Sequence, residues 1–279
     1  MSDPTWRLLI DAHARGAWNM GVDEVLLDGV ALGTAPPTVR FYQWQPACLS
    51  LGYFQPPSVV NLEGCRTLGV DVVRRPTGGR AILHDRELTY SVAMPVARLG
   101  HDQAVLSSYR RLSLGILVGL RALQVPVSLA PAAIGTGPEH GPACFDRASA
   151  NELLLHGRKL VGSAQVRRNG AVLQHGSILF EPQVERLSAC LHLPEDQQPP
   201  GYLGSHLAGL CEVGAFKVRD VASAVGRGLA EQFGIQLEPG ALKPAEAEAA
   251  GRLAASRYAD AAWMAAPALA EAGNTTRTR

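Results

Sequence analysis

The chain has 279 residues, of which 47% are hydrophobic and 18% are charged. This is a globular composition, and it excludes collagen, coiled coil and disorder as descriptions of the whole chain. Lysine and arginine total 26 against 25 for aspartate and glutamate, and a net charge of +1 argues against a general nucleic-acid binder.

The cysteines and the first residues predict a cytoplasmic protein. The 5 cysteines are an odd number and form no C-x-x-C pair, so neither a disulfide framework nor a cysteine-rich zinc site is expected. Charged residues interrupt the segment from Met1 to Arg15, where a signal peptide would have an apolar core. Apolar runs fall short of the roughly 20 residues that span a membrane.

The first part of the chain is predicted to hold one helix followed by short strands. Apolar residues at helical spacing predict a helix over Trp18–Leu32, which Pro36 and Pro37 end. Short runs rich in β-branched and aromatic residues then predict strands separated by glycine and proline. These strands cover Val39–Tyr42, Cys48–Tyr53, Val70–Val73, Ala81–Leu83 and Leu88–Met94.

The middle of the chain is predicted to hold an amphipathic helix, a loop and two hairpins. The helix covers Gln103–Leu123, and the loop, rich in glycine and proline, covers Pro131–Pro142. Turns at His156-Gly157 and Asn169-Gly170 predict the hairpins because these residues accept the positive φ of a tight turn. The three strands that they join are Asn151–Leu155, Leu160–Arg167 and Ala171–Phe180.

The last part of the chain is predicted to be helical. Helices are expected at Val184–Cys190, Ser205–Leu210, Asp220–Phe233 and Ala245–Ala262. Helices interspersed with hairpin strands predict an α+β fold, with a mixed or antiparallel sheet flanked by helices.

Ligand-binding residue types are densest around a glycine turn. Arg74 and Arg75 precede Gly78-Gly79, and His84 follows on the next predicted strand. Glycines let a ligand approach the backbone closely, and arginines bind phosphate or carboxylate through two parallel hydrogen bonds. The alternative is an ordinary hairpin turn with solvated arginines.

A lysine opens a strand of small residues. Lys159 is followed by Gly162, Ser163 and Ala164, whose small side chains leave room beside the strand for a ligand. A lysine in such a place can hold a carbonyl oxygen, or act as a base where apolar surroundings lower its pKa. The alternative is a surface lysine after a turn.

A histidine and a cysteine complete the candidates. His175, next to Gly176, is a catalytic candidate on a predicted strand, where a structural histidine is the alternative. Cys144 closes the glycine- and proline-rich loop and lies 15 positions before Lys159. Its thiolate would be a good nucleophile, whereas most cysteines are small buried residues.

Together these segments resemble the lipoate-protein ligase and octanoyltransferase superfamily, whose catalytic domain has a biotin/lipoate ligase-like fold. The resemblance covers about Trp6 to Trp263 in the right order, and several motifs in register are more specific than any one of them. The motifs are Trp18-Asn19-Met20 with Asp23-Glu24, Arg74–Asp85 with Glu87–Ser91, Gly157–Gln165 and Gln174–Leu179. The resemblance implies one acyltransferase domain over 1–262, with a poorly ordered tail over 263–279.

Cys144-Phe145 is similar to the pattern of the cysteine-dependent octanoyltransferases of this family. The resemblance implies transfer of octanoyl from acyl carrier protein to a lysine of a lipoyl domain, typically the glycine-cleavage H protein, without metal or cofactor. Cys144 would take the acyl group as a thioester, and Lys159 would orient the acyl carbonyl or assist proton transfer. The implied substrate-binding residues are Arg75, Gly78, Gly79, His84, Gly162, Ser163, Ala164, His175 and Gly176.

Other members of the family remain alternatives. Arg80 stands where ATP-dependent ligases usually have a third glycine, which favours the transferase. Asn151-Glu152 resembles the Asn-Asp of the ligases, which would use ATP and magnesium, with Lys159 holding the acyl-adenylate. An amidotransferase between lipoyl domains and a non-catalytic acyl or lipoyl-domain binder are further alternatives.

Both implied protein partners tend to be acidic, so exposed arginines are expected to meet them electrostatically. The alternative is an ordinary solvated face. The candidates are Arg74, Arg75, Arg110, Arg111, Arg167 and Arg168.

Overall fold

An eight-stranded mixed sheet organises the chain. The computed structural model describes residues 4–100, 102, 104–131, 151–195 and 201–265. In spatial order the strands are β11 (Gln236–Pro239), β1 (Thr5–Ile10), β2 (Thr38–Tyr42), β6 (Glu87–Pro95), β10 (Ala171–Leu179), β9 (Arg158–Arg168), β8 (Leu153–Leu155) and β7 (Val127–Leu129). Strand β1 runs parallel to β11 and β2, and the other neighbouring pairs are antiparallel.

A second sheet of three strands carries the glycine turn. Its strands are β4 (Asp71–Arg74), β3 (Cys48–Leu51) and β5 (Ile82–His84), in that order. Strand β3 is parallel to β4, and this pairing needs a crossover, which contains the short helix α2 (Leu62–Thr67). The turn between β4 and β5 contacts β10, because Thr77 Oγ1 lies 2.7 Å from His175 Nε2.

Helices cover both faces of the large sheet. Helices α3 (Val105–Ala122) and α5 (Val218–Phe233) pack on one face, and α1 (Gly16–Ala31) packs with α6 (Pro244–Leu253) on the other. Side chains of strand β6 point alternately to the two faces of the sheet, as this packing requires. The core under α3 and α5 contains Leu88, Tyr90, Val92 and Met94, whereas the core under α1 contains Ala93. None of the described helices is long and apolar enough to cross a membrane.

Much of the predicted secondary structure is confirmed. The α+β fold is present, and α1, α3 and α5 lie where helical spacing predicts them. Both hairpin turns have the expected backbone, with φ of +50° and +78° at His156 and Gly157, and of +49° and +78° at Asn169 and Gly170. Residues 132–150, which include most of the predicted loop, lie outside the described residues.

The helix predicted over Ser205–Leu210 is wrong. That segment runs beside β9 instead, with the Lys159 amide donating to the His206 carbonyl (2.8 Å) and the Ala208 amide donating to the Lys159 carbonyl (3.0 Å). Pairing with a buried strand satisfies the same backbone groups that a helix would have satisfied.

The last predicted helix is interrupted. Helix α6 ends at Leu253, a π-helical turn covers Ala254–Tyr258, and α7 (Ala261–Ala265) follows. Arg257 and the Tyr258 hydroxyl both bond to buried Glu24 at 2.6 Å, and these contacts tie the widened turn to α1. Trp263 and Met264 lie in α7, whereas 266–279 lie outside the described residues.

Candidate active site

A small cavity lies where the small sheet meets β10. Its apolar wall includes Met20, Trp44 and Ile82. Several residues selected from the sequence also line it, namely Arg75, His84, Ala164, His175 and Gly176. An enclosed, mostly apolar space with a few placed polar groups suits a small apolar ligand.

Close backbone approaches explain two glycines of the site. A Cβ on Gly176 would lie 2.6 Å from both the Gly162 carbonyl oxygen and Ser163 Oγ. Gly79 has φ +87°, and a Cβ there would lie 2.8 Å from Arg75 Nη2. Gly78 lies outside this cavity, in a neighbouring groove with Phe54 and Trp263. Neither glycine of the predicted pair is therefore among the residues that line this cavity.

Arg75 holds the glycine turn in shape. Its side chain is 2% exposed and donates to the carbonyls of Ser50 (3.0 Å), Gly78 (2.7 Å) and Arg80 (2.8 Å). It also donates to Thr77 Oγ1 at 3.1 Å. These bonds hold the backbone of the turn between β4 and β5, so the Arg75 side chain has a structural role in the turn.

Arg74, the last residue of β4, also donates hydrogen bonds to backbone carbonyls. It is 1% exposed, and its Nη1 donates to three carbonyls of the turn after β3, those of Gly52, Tyr53 and Gln55. Its Nη2 donates to the Met264 carbonyl at 2.8 Å, and burial lowers its pKa. The prediction that Arg74 and Arg75 meet an acidic carrier is therefore wrong, because both guanidinium groups are buried on the protein's own carbonyls.

A buried chain of hydrogen bonds starts at Arg75 and ends at Asp23. Thr77 Oγ1 lies 2.7 Å from His175 Nε2, and His175 Nδ1 lies 3.0 Å from Asp23 Oδ2. An ionised carboxylate only accepts, so His175 Nδ1 donates to it, and in the neutral ring Nε2 accepts from Thr77. Burial would raise the pKa of Asp23, but the bond to His175 and the charge of Arg40 outweigh it and lower that pKa.

His84 is another polar residue that lines the cavity. Its Nε2 lies 2.8 Å from Ser50 Oγ, and its ring stacks on Trp44 with centroids 4.0 Å apart. Burial lowers the pKa of His84, and the nearby Glu87 offsets this only in part. His84 is therefore a neutral imidazole near pH 7.

Lys159 is buried in an ion pair. It is 1% exposed, and its Nζ lies 2.6 Å from Oε1 of Glu152, which is 3% exposed. The alternative of an ordinary surface lysine is wrong. Lys159 does not line the cavity of Arg75 and His84, but it lies on the same strand, β9, as Ala164, which does.

The predicted nucleophile, Cys144, lies outside the described residues, and its role stays a prediction. Among the described cysteines, Cys48, Cys65 and Cys190 are buried and Cys211 is exposed. Burial raises the pKa of the Cys48 thiol, which makes it a poor nucleophile. No cluster of three or more His, Cys, Asp or Glu with the arrangement of a metal site is found in the described part of the chain.

The structure adds two acidic residues to those selected from the sequence. Asp23 was part of a family motif without a role, and Glu152 was only a departure from the family pattern. Both are charged residues next to buried apolar runs, and a charge in such a place needs a buried partner. The sequence shows these charges beside apolar runs, but it does not show that Asp23 pairs with Arg40 and His175 or that Glu152 pairs with Lys159.

Comparisons with known proteins agree on the family. The model described as "Lipoyl protein ligase A/B catalytic domain" matches residues 15–230. "Octanoyltransferase LipM" of Kyrpidia tusciae is 42% identical over 271 residues, covering 92% of this chain and 97% of that protein. The protein of the same name from Symbiobacterium thermophilum is 39% identical over 277 residues, covering 94% and 98%.

A solved structure confirms the fold. The structure described as "lipoate-protein ligase A bound with ATP" superposes with a TM-score of 0.78, covering 94% of this chain and 99% of that one. Its sequence is 23% identical, so this likeness concerns the fold alone.

Proposed function

This chain belongs to the lipoyl protein ligase A/B catalytic-domain family and is an octanoyltransferase of lipoate biosynthesis, and from that premise we propose its chemical route. Octanoyl passes from acyl carrier protein to Cys144 as a thioester, and from Cys144 to a lysine of a lipoyl domain of the H-protein type. The observation that carries the proposal is the enclosed apolar cavity at Arg75 and His84, in a chain whose near-full-length relatives are octanoyltransferases.

The route consists of two acyl transfers. The Cys144 thiolate attacks the carrier thioester, a C–S bond to Cys144 forms, the C–S bond to the carrier breaks, and the carrier thiolate takes up a proton. The acceptor amine then attacks the acyl-enzyme, a C–N bond forms, and Cys144 leaves and regains the proton that the amine loses. The donor is already activated, so the route requires neither ATP nor a metal, and its division into two steps lowers each barrier.

Lys159 is proposed to hold the acyl oxygen. A tetrahedral intermediate places negative charge on that oxygen, and a donor in a site without water stabilises it. Lys159 is buried and already lies in an ion pair, which supports an ammonium as that donor. We expect Lys159→Ala to lose nearly all turnover, and normal turnover would rule out an essential role.

The acyl chain is proposed to occupy the cavity lined by His84, Ala164, His175 and Gly176. The carbonyl end would lie toward β9, the strand that carries Ala164 and Lys159. The neutral His84 ring and the stacked Trp44 present little charge to the chain.

Acidic carrier proteins are the proposed partners, with the reaction in the cytoplasm. Of the predicted docking arginines, Arg110 is exposed. Arg168, whose side chain is 34% exposed, bonds to Glu24 and Asp28, and Arg167 donates to Ser108 Oγ at 2.7 Å. Charge reversal at Arg110 should lower the transfer rate and weaken its salt dependence, and an unchanged salt dependence would refute this docking.

Intact-protein mass spectrometry tests the route. With octanoyl-acyl carrier protein and no ATP or metal, we expect an octanoyl adduct that hydroxylamine removes and that is absent in Cys144→Ala. Cys211→Ala is the matched control, because Cys211 is an exposed cysteine outside the proposed site and its loss should leave the adduct intact. Discharge by apo H protein would identify the acceptor. No adduct, with acceptor modification by octanoate, ATP and magnesium, would make the chain a ligase.

A further inference from the structure

The backbone of Lys159 is held on both sides. Lys159 pairs with Leu154 of β8, and it also forms a bridge with Leu207. Its amide and carbonyl both bond to the Leu207 segment, at 2.8 and 3.0 Å. The position of its Cα is therefore fixed by strand pairing, and only the side chain remains to be oriented.

Two local features place Glu152 opposite that side chain. Asn151 has φ +67°, a left-handed conformation that asparagine tolerates better than most residues. Leu154 pairs with Lys159 whereas Leu153 pairs with Val161, so β9 has one extra residue in a β-bulge at this point. Bulges redirect side chains and are frequent beside active sites.

We propose that Glu152 is a positioning residue for the transfer reaction, whose carboxylate holds Lys159 as an ammonium in one orientation. This inference rests on the proposed role of Lys159 in octanoyl transfer. The observation behind it is the contact of 2.6 Å between two charged groups that are 1% and 3% exposed. A buried ammonium without a partner would lose its proton, and the carboxylate opposes that loss.

The charge state decides which chemistry Lys159 performs. An ammonium donates hydrogen bonds and has no lone pair with which to accept a proton. Lys159 held in this form stabilises the developing oxyanion, and it is not the base that deprotonates Cys144 or the acceptor amine. Glu152 thereby selects between the two roles that the sequence left open.

Two other titratable groups among the described residues near β9 have hydrogen-bond partners of their own. Tyr90 on β6 bonds to Ser163 and Gln174, and burial raises its pKa to about 12, so it stays neutral across the useful pH range. His206, beside β9, contacts the Tyr202 carbonyl through Nδ1 at 2.7 Å. The carboxylate of Glu152 directly contacts Lys159 Nζ at 2.6 Å, so it is the group whose removal tests the charge of Lys159.

Acyl-enzyme formation across pH tests the inference in the first half-reaction, where no acceptor amine takes part. Glu152→Gln removes the charge and keeps the shape. We expect its rate near pH 7 to fall by about 100-fold, the order of an oxyanion donor. We also expect the alkaline limb of its pH profile to move down by about 1–3 units, the usual effect of an adjacent opposite charge. Glu152→Asp keeps the charge and should restore the wild-type limb at a lower rate.

A neighbouring ion pair is the matched control. Glu212 pairs with Arg158, the residue before Lys159 on β9, and both of these side chains are partly exposed. Glu212→Gln should leave both the rate and the pH profile unchanged. An alkaline limb in Glu152→Gln that stays at its wild-type position would overturn the inference, because the charge of Lys159 would then not depend on Glu152. A Glu152→Gln rate above the wild-type rate at low pH would also overturn it, because a lowered pKa would then favour the reactive form and make Lys159 a neutral base.

A second measurement needs no activity. The lysines of the chain are Lys159, Lys217 and Lys243, and the latter two are exposed. Lysine labelled with carbon-13 at the ε-methylene therefore gives resolvable NMR signals, assigned by Lys217→Arg and Lys243→Arg. We expect the Lys159 signal of the wild type to stay in its ammonium position at the pH where transfer is fastest. A neutral Lys159 there overturns the inference even if every Glu152 variant fails to fold.

The two proposals fail differently. Absence of an octanoyl adduct on the wild-type enzyme would contradict the proposed function. A normal adduct on the wild-type enzyme, together with a Lys159 pKa that is the same in the wild type and in Glu152→Gln, would contradict only the positioning role.

Discussion

Replacing the buried carboxylate of Asp23 tests the hydrogen-bond network next to the cavity of Arg75 and His84. The carboxylate accepts hydrogen bonds from Arg40 Nη1 (2.8 Å), Tyr42 OH (2.8 Å), Ser91 Oγ (2.9 Å) and His175 Nδ1 (3.0 Å). In Asp23→Asn, the amide keeps one acceptor oxygen and turns an NH₂ toward groups that donate. We expect loss of stability and of the His175 orientation, and therefore of transfer activity.

The expected loss in the free energy of unfolding follows from the ion pair between Asp23 and Arg40. Removing one partner of a buried pair costs about 3–5 kcal/mol. Arg40 keeps Asp11 at 2.6 Å, which favours the lower end of that range. At about 2–4 °C per kcal/mol for a chain of this size, the expected fall in Tm is roughly 6–12 °C. Glu248→Gln breaks the exposed pair with Arg252 and, as the control, should change stability by no more than about 0.5 kcal/mol.

The stability lost in Asp23→Asn should be largest near neutral pH and should become smaller in acid. The pKa of Asp23 is lower in the folded protein than its ordinary value of 3.8. Its ionisation therefore contributes stability that is fully present above that value and is lost as pH falls through the lowered folded pKa. Urea unfolding should show a constant difference between wild type and Asp23→Asn near neutral pH, which shrinks below about pH 4. A loss under about 1 kcal/mol at neutral pH, or a difference that grows in acid, would refute the reasoning.

Further predictions concern packing around the site. Gly176→Ala should block acyl-enzyme formation, because its Cβ would lie 2.6 Å from the Gly162 carbonyl oxygen, and normal kcat/KM in that variant would refute the close approach. Gly119→Ala should destabilise the α3–α5 contact by about 1–3 kcal/mol in urea unfolding, because its Cβ would lie 2.5 Å from the Ala224 carbonyl oxygen; unchanged stability would contradict this. Arg74→Lys should speed amide hydrogen exchange in α7, because lysine cannot bond all the carbonyls that the Arg74 guanidinium group bonds. Unchanged exchange in α7 would show that these hydrogen bonds are not needed to hold it.

Local chemistry explains what could be predicted. The long helices α3 and α5 carry continuous apolar faces, and Asn169-Gly170 has the backbone freedom of a tight turn. The motifs around Arg75 and His175 also predicted residues that meet at one cavity. Strand β1 and the short edge strand β11 were not predicted, because a few residues with little periodicity carry a weak signal.

The amino-acid sequence by itself determined the family and the α+β class, and it predicted part of the cavity lining, namely Arg75, His84, Ala164, His175 and Gly176. Only the tertiary structure decided which charges meet. Asp23 and His175 are 152 positions apart, yet their side chains are 3.0 Å apart. Glu152 faces Lys159 through a bulge and a left-handed residue, and Leu207 pairs with β9 instead of forming a helix. The reason is that a buried charge is stabilised by whichever opposite charge the packed sheets bring to it, and local patterns do not record that distance.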